Sequence, residues 1–319
     1  MNNRKLNRRE LIGTSLASAT LLGGSLATQQ IHASPAPKAH SDAELRYCLN
    51  TSTINNKAVP IREQIQIAAK AGYDSIEIWI RDVAKHVEAG GALKDLAQEI
   101  EDLGLQVDSA IAFGNWIVDD DAKRKSGLEQ CKKDMEAVRQ LGGTRIAAPP
   151  DGATREPGLD LRAAAARYHD LLEVGKSVGV TPQLELWGFS QNVSTLEEVL
   201  FIAAGAQHPD ACILLDVYHM YKGGCDFSNV DLVPVQKMHC LHMNDYPDMP
   251  RNEIGDADRV YPGDGIAPLS KILKTFISNG FTGALSLELF NRDYWKRPAE
   301  EVAKVGLEKM KAAVTSATS

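Results

Sequence analysis

Short apolar runs alternate with amphipathic stretches along the chain from residue 45 to its C-terminal end. Short apolar runs between turn-forming residues are typical of buried strands, and apolar residues spaced three and four apart are typical of helices. Eight such runs predict strands at residues 45–50, 75–79, 107–112, 145–148, 183–187, 213–219, 240–245 and 285–290. The predicted helices cover residues 61–72, 93–103, 119–141, 160–178, 195–204 (capped by Ser194), 268–278 and 298–314.

The alternation of eight strands with seven or eight helices predicts one α/β domain, a single (β/α)8 TIM barrel over residues 45–315. An open, doubly wound sheet is the alternative topology. That fold would place a glycine-rich phosphate-binding loop after an early strand, and the sequence has no such loop there. The barrel is therefore the predicted architecture, with its functional residues at the carboxyl ends of the strands.

The first 33 residues have the pattern of an export signal. Arg8 and Arg9 precede a mildly apolar stretch, residues 11–27, that is rich in Gly, Ser, Thr and Ala. This order predicts a twin-arginine signal peptide at residues 1–33, followed by a linker at residues 34–44. An uncleaved membrane anchor is the alternative, but the segment is short and polar for a membrane span. We therefore expect export to the periplasm or the cell exterior.

The charge of the chain limits its partners. The formal net charge is −7 at pH 7. Removing residues 1–33 deletes four basic residues (Arg4, Lys5, Arg8 and Arg9) and one acidic residue, Glu10, and makes the charge −10. Such an acidic protein has no general attraction for nucleic acid or an anionic membrane surface. No apolar run of about 18 residues follows the signal, so we expect no stable membrane insertion after processing.

Four of the predicted strands carry one ionisable side chain each near the carboxyl end. These side chains are Glu185, Asp216, His242 and Glu288. Because side chains alternate between the two faces of a strand, the flanking apolar residues would face the helices and the four polar groups would point into the barrel. Each alone could be a hydrogen-bonded buried group. Four in the same position predict one common site on the face where barrel enzymes carry their chemistry.

A divalent cation would offset the cost of burying these charges. Three carboxylates and one imidazole suit one Mn²⁺ ion best, with Mg²⁺, Co²⁺ or Zn²⁺ as alternatives. Such a cation can polarise a carbonyl and a neighbouring hydroxyl and so stabilise an enediolate. Glu185 and Glu288 would approach a bound sugar from different sides, so one can remove a proton from carbon while the other returns one. These two glutamates are the predicted catalytic residues.

Several motifs make the chain similar to a known family. They are GYDSIEIW at residues 72–79, DVYH at residues 216–219, HMND at residues 242–245, RVYPGDG at residues 259–265, and the strands of Glu185 and Glu288. Over residues 45–310 the chain resembles the xylose isomerase-like TIM barrels, in particular the sugar isomerases and epimerases similar to D-tagatose 3-epimerase. The resemblance implies that the four residues named above bind the metal, and that His219 and Arg259 hold substrate oxygens.

Other residues are predicted to shape the substrate site. Glu77 points inward by strand parity but opposite the four ligands, so we expect it to contact the substrate or to support the site indirectly. Trp187 and other aromatic residues at the strand ends are expected to stack on the C–H faces of a sugar. The loop over residues 244–265 is long enough to act as a lid.

The same resemblance favours some of the possible functions over others. The lysine and histidine pattern of true xylose isomerases is absent, and the first four predicted strands lack the histidines and the additional glutamate of endonuclease IV, a more distant relative. A metal-dependent phosphodiesterase is therefore the least favoured function. We expect a metal-dependent isomerase or epimerase for an unphosphorylated sugar or sugar derivative. A lyase or hydratase for a keto-glycoside and a non-catalytic carbohydrate-binding barrel stay open, as does a homo-oligomeric state.

Overall fold

The computed structural model describes residues 45–54 and 59–319. The predicted signal peptide and linker, residues 1–33 and 34–44, lie outside the described residues. Strands and helices alternate through the described part of the chain. No helix in that part combines the length and the apolarity that crossing a membrane requires.

Eight parallel strands form one sheet that is rolled into a barrel. The strands are β1 (Arg46–Asn50), β2 (Ser75–Trp79), β3 (Gln106–Ile111), β4 (Arg145–Ala148), β5 (Thr181–Glu185), β6 (Ile213–Asp216), β7 (Met238–Met243) and β8 (Ala284–Leu287). β1 pairs with β8, while β3 and β4 stand at the two ends of the hydrogen-bonded order and contact each other. The prediction of a single (β/α)8 TIM barrel is confirmed.

Nine α-helices connect and follow these strands within the described residues. They are α1 (Ile61–Ala71), α2 (Ile80–Glu88), α3 (Leu93–Asp102), α4 (Asp121–Gln140), α5 (Leu161–Val178), α6 (Leu196–Gly205), α7 (Val217–Gly223), α8 (Leu269–Ser278) and α9 (Ala299–Thr318). Helices α1 and α5 end at Gly72 and Gly179, whose φ angles of 92° and 82° are the left-handed values that favour glycine. The apolar pattern does not predict α2 and α7.

Five of the predicted strands extend past the carboxyl ends of the observed strands, and at β5 and β6 this changes the place of a predicted site residue. β5 ends at Glu185, so Trp187 lies in the following loop. β6 ends at Asp216, and α7 begins at the next residue. The Asp216 side chain accepts a hydrogen bond from His219 N at 2.8 Å and thereby caps α7. The apolar run at residues 213–219 is therefore divided between a strand and a helix, and His219 belongs to the helix.

The first residues of α6 differ from the prediction by one position. The N-terminal capping residue is Thr195, not Ser194. Thr195 Oγ1 accepts a hydrogen bond from Glu198 N at 3.4 Å, and Glu198 Oε2 accepts one from Thr195 N at 3.0 Å. This reciprocal pair is a capping box. The predicted cap was wrong because two neighbouring hydroxyl residues can both cap, and only the backbone geometry distinguishes them.

Two apolar clusters fill the described part of the structure. The larger cluster lies between the strands and the helices. The smaller cluster fills the barrel interior, where nearly every strand contributes one side chain: Cys48, Trp79, Ile111, Ala147, Leu214, Cys240 and Ala284. All five cysteines are free. The inner cluster packs the barrel below its carboxyl-end face, so the inward polar side chains stand on a rigid base.

Candidate metal centre

The four predicted ligands meet at the carboxyl ends of β5 to β8. His242 is fully buried, and its Nδ1 atom is 3.2 Å from Glu288 Oε2, 3.5 Å from Glu185 Oε1 and 3.5 Å from Asp216 Oδ2. One candidate ligand atom each from Glu185, His242 and Glu288 lie within 4.8 Å of one another. The structure therefore brings all four side chains together, and these four residues are called the cluster below.

The register of the strands explains why these side chains meet. Asp216 pairs with His242 across β6 and β7. Glu185 pairs with Leu214, which lies two residues before Asp216 on the same face of β6. Glu288 directly follows the last residue of β8. Because all eight strands are parallel, these positions lie at one end of the barrel, and the four side chains converge above the inner apolar cluster.

The spacing of these atoms fits a divalent cation. Ligands bound at about 2.1 Å in tetrahedral or octahedral geometry are separated from one another by about 3.0–3.4 Å. The carboxylate oxygens lie between 3.2 and 3.5 Å from His242 Nδ1, at ion-pair distance but outside hydrogen-bonding geometry. Both ring nitrogens of His242 are buried and lack a hydrogen-bond partner among the described residues, and Nδ1 is the one that faces three carboxylates. A cation at this position would bind Nδ1 and the carboxylate oxygens together.

Glu77 lies against His242, so its predicted place opposite the cluster was wrong. Glu77 Oε2 is 3.0 Å from His242 Nε2, and it accepts hydrogen bonds from Asn50 Nδ2 at 2.9 Å and from Ser286 Oγ at 2.7 Å. Burial raises the pKa of Glu77, but His242 and the two donors outweigh burial and lower the pKa below its usual value. Burial lowers the pKa of His242, but the charges of Glu288 and Glu77 and the contacts with Asp216 and Glu185 outweigh burial and raise it well above its usual value, so without a metal both ring nitrogens carry a proton. A cation bound at Nδ1 would displace the proton there, and a charged Glu77 would hold the remaining proton on Nε2.

Arg259 is buried beside the cluster and ties it to the loop after β7. Its Nη1 atom donates to Asp216 Oδ2 at 2.9 Å and to Glu288 Oε2 at 2.8 Å. Its Nη2 atom donates to Asp256 Oδ1 at 2.7 Å and lies 3.2 Å from His219 Nε2. A carboxylate oxygen has more than one lone pair, so the oxygens that accept from Arg259 can also bind a cation.

Burial and charge act differently on two of the carboxyl groups. Burial, with the nearby charges of Glu288 and Asp216, raises the pKa of Glu185 to about 7, and His242 opposes this shift. Burial also opposes ionisation of Asp216, but Arg259 outweighs it and holds the pKa of Asp216 well below its usual range. Asp216 is therefore a permanent anion, whereas Glu185 can exchange a proton near neutral pH.

A cavity of about 220 Å³ opens beside the cluster. Burial, with the charge of Arg259, lowers the pKa of His219 to about 4, so the imidazole that lines this cavity is neutral at pH 7. The cavity combines polar and aromatic walls, as sites for sugars do. The lining residues are Glu185, Glu288, His219, Asp256, Arg259, Trp79, Ile111, Phe113, Trp187, Phe189 and Phe290.

Two buried asparagines contact the cluster although the sequence does not single them out. Asn50 Nδ2 donates to Glu77 Oε2 at 2.9 Å and to Glu288 Oε1 at 3.0 Å. Asn244 Nδ2 donates to Asp216 Oδ2 at 3.1 Å. Asn50 is the last residue of β1 and Asn244 directly follows β7, so strand parity could have indicated that both point inward. Their partners belong to other strands, which parity does not identify.

Comparison with known proteins agrees with this fold. The family model described as "Xylose isomerase-like TIM barrel" matches residues 65–313. The inosose isomerase of Halalkalibacterium halodurans is 29% identical over 269 residues, which cover 82% of this chain and 93% of that protein. The 3-dehydroshikimate dehydratase of Pseudomonas putida is 23% identical over 250 residues, covering 78% of this chain and 39% of that protein. The crystal structure of the IolI protein with a bound zinc atom has a TM-score of 0.78 at 24% identity, covering 85% of this chain and 98% of that one.

Proposed function

Because the chain belongs to the xylose isomerase-like TIM barrel family, we propose that it is a metal-dependent isomerase or epimerase. Its proposed substrate is an unphosphorylated sugar or sugar derivative, and its reaction is proton transfer next to a carbonyl through an enediolate. The observation that carries the proposal is the convergence of three carboxylates on the buried His242 Nδ1 atom, each between 3.2 and 3.5 Å away. The similarity to an inosose isomerase supports this class of reaction.

Glu185 and Glu288 are the proposed base and acid. Both line the cavity, so both can reach carbon-bound protons of a sugar held there. One carboxylate removes a proton from the carbon next to the carbonyl. The other side chain, in its acid form, returns a proton to the neighbouring carbon in an isomerisation, or to the opposite face of the same carbon in an epimerisation. Without a metal, burial and the charges of Glu288 and Asp216 raise the pKa of Glu185 to about 7, and a bound dication would lower it and favour the base form of Glu185.

The proposed metal ligands are Glu185, Asp216, His242 and Glu288. The carboxylate-rich set supports Mn²⁺ as the first choice, with Mg²⁺, Co²⁺ and Zn²⁺ as alternatives. When bound, a divalent ion supplies the charge that polarises the carbonyl and stabilises the enediolate. These three carboxylates and that of Glu77 surround His242, and Arg259 is the one guanidinium that contacts them in the described residues. A dication would therefore reduce an excess of buried negative charge.

His219, Arg259 and Trp187 are the proposed substrate contacts, because each lines the cavity. Among the described residues that line it, Arg259 is the one side chain charged positively at pH 7, and it is paired with three carboxylates. No free positive charge is left there to hold a phosphate group, which supports an unphosphorylated substrate. Of the two roles expected for Glu77, substrate contact or indirect support of the site, we propose the second: it orients His242.

We also propose that the twin-arginine motif directs export of the folded protein to the periplasm or the cell exterior. The support is the order of Arg8 and Arg9, the apolar stretch and the small residues within residues 1–33. An exported enzyme would meet free sugars and glycosides rather than cytoplasmic sugar phosphates. The three ion pairs that Arg259 makes with carboxylates in the cavity are in keeping with such substrates.

Deuterium exchange into sugars tests the proposed function. The chain without residues 1–33 would be loaded with Mn²⁺ and incubated in D₂O with aldoses, ketoses and inososes, and the C–H signals would be followed by NMR. We expect exchange at the carbon next to the carbonyl in at least one sugar. Glu185→Gln and Glu288→Gln should each abolish it, while Glu129→Gln, an exposed glutamate of α4, should exchange at the wild-type rate. No exchange in any sugar, or normal exchange in either cavity variant, would contradict the proposal.

A lyase or hydratase acting on a keto-glycoside is the second candidate. The similarity to a 3-dehydroshikimate dehydratase favours it, because an elimination next to a carbonyl begins with the same removal of a proton from carbon. A keto-glycoside added to the same NMR experiment distinguishes the two reactions. An elimination would release the free aglycone, whereas an isomerase or epimerase would leave the glycosidic bond intact.

A further inference from the structure

A second cavity adjoins the proposed sugar site across one exposed aromatic ring. It is a groove of about 860 Å³ formed by the loop after β5, by α7 and by the loop after β7. Phe189 lines both this groove and the cavity beside the proposed metal ligands. Phe189 therefore lies at the boundary between the cavity and the groove.

The Phe189 ring is held in place although 43% of the residue is exposed. Its centroid is 5.2 Å from that of Trp187 and 5.8 Å from that of His219. The preceding residue, Gly188, lies so close to the backbone of His219 and Gly223 that no side chain would fit. The loop after β5 is thus anchored on α7, and Phe189 offers a fixed apolar surface to a ligand.

The other side chains of the groove suit a hydroxylated ligand. Gln191, Arg251 and Asn252 are exposed, and the described residues that line the groove include no acidic side chain. Arg251 rests against Gly224 and has no acidic partner in the described part of the chain, so its N–H groups remain available to ligand oxygens. An aromatic face binds the C–H side of a sugar ring, and amide and guanidinium groups hydrogen-bond its hydroxyls.

We propose that this groove binds a second sugar unit, so that the substrate is a disaccharide or a sugar glycoside rather than a free monosaccharide. The inference rests on the proposed function for the position of the reacting sugar. The second ring stacks on Phe189, and its hydroxyls bond to Gln191, Arg251 and Asn252. A substrate bound in this way would cover the exposed Phe189 ring beside the cavity.

Calorimetric titration of the Mn²⁺-loaded protein tests the second subsite. The probes are disaccharides of glucose, galactose and mannose, their component monosaccharides, and the phenyl glycosides of the same sugars. We expect at least one disaccharide to bind about tenfold more tightly than its components. Arg251→Ala should reduce that advantage without weakening the monosaccharide, because Arg251 lines only the groove. Phe189→Ala should weaken the disaccharide more than the monosaccharide, because the ring lines both the cavity and the groove. Phe201→Ala is the matched control, since Phe201 is also 43% exposed but lies on α6 and lines neither cavity.

Several outcomes would overturn the subsite. Disaccharides that bind no more tightly than monosaccharides, or that do not bind at all, would exclude it. An equal loss of both affinities in Phe189→Ala would show that the ring serves only the cavity. Preferential binding of phenyl glycosides, unaffected by Arg251→Ala, would replace the second sugar by an aromatic aglycone. Deuterium exchange is followed in the disaccharides as well as in the monosaccharides. No exchange in either would contradict the proposed function, whereas exchange without tighter binding of a disaccharide would contradict only the second subsite.

Discussion

Glu77 contacts His242 on the imidazole nitrogen that does not face the three proposed carboxylate ligands. Its Oε2 atom is 3.0 Å from His242 Nε2, and Asn50 and Ser286 donate to the same oxygen. Burial raises the pKa of Glu77, but the charge and contact of His242, with these two donors, outweigh burial and keep the carboxylate charged. A carboxylate behind a metal-binding histidine fixes the tautomer and the ring orientation and makes the other nitrogen a stronger ligand.

Glu77→Gln should therefore weaken the binding of Mn²⁺ by roughly 10–100-fold, the usual effect of removing such a partner. The neutral amide is a weaker acceptor for the proton on Nε2, so His242 loses its preferred tautomer. Competition with a metal-chelating dye would measure the affinity. Glu88→Gln, an exposed glutamate at the end of α2, should bind Mn²⁺ like the wild type. Wild-type affinity in a folded Glu77→Gln protein would contradict the role given to Glu77.

The sequence predicts the direction in which these side chains point better than it predicts which residues they contact. Strand parity indicates that Glu77, Glu185, Asp216, His242 and Glu288 point inward, because the side-chain period of a strand is two residues. Parity does not say which inward side chains meet across the barrel. β2 pairs with β1, β1 with β8 and β8 with β7, and closing this ring brings Glu77 to His242. The expected position of Glu77 was wrong for that reason.

At the scale of elements, the capping box of α6 supports the loop after Glu185. Thr195 caps the helix, whereas Ser194 lies outside it and donates from its backbone N–H to Glu198 Oε2 at 2.8 Å. Thr195→Ala should lower the free energy of unfolding by about 1 kcal/mol, the usual value of a lost N-cap, and Ser194→Ala by less. Urea unfolding of both variants would measure the difference. A larger loss in Ser194→Ala would mean that the sequence-based assignment of the cap was right after all.

Helices α2 and α7 show where an apolar pattern stops being informative. Each begins at the residue after a strand: α2 follows Trp79 and α7 follows Asp216. No glycine or proline separates strand from helix at these points, and the cap of α7, Asp216, stands inside the apolar run at residues 213–219, where it is not recognisable as a helix start. The strands and the other helices are predictable because glycines, prolines and capping residues mark their ends. The predicted lid at residues 244–265 stays a prediction; in the structure Asp245 and Val260 pair near its two ends.

At the scale of the whole molecule, the proposed metal would link much of the barrel. Its four ligands lie at the ends of β5, β6, β7 and β8, and Asn50 joins β1 and β2 to them through Glu288 and Glu77. Without a cation, the buried carboxylates repel one another and Arg259 offsets only part of their charge. Metal binding should therefore contribute to the stability of the whole fold as well as to activity.

Removing the metal tests this coupling. A ligand present at about 100 times its Kd stabilises the native state by about 2.7 kcal/mol, so chelation should lower the Tm of the Mn²⁺-loaded protein by about 5 °C or more. Added Mn²⁺ should restore the original Tm, as differential scanning calorimetry would show. His242→Gln removes the one nitrogen ligand, so its Tm should not respond to chelator or metal. If the wild-type Tm also did not respond to the chelator or to Mn²⁺, the carboxylates around His242 Nδ1 would form a charge network that holds no structural cation.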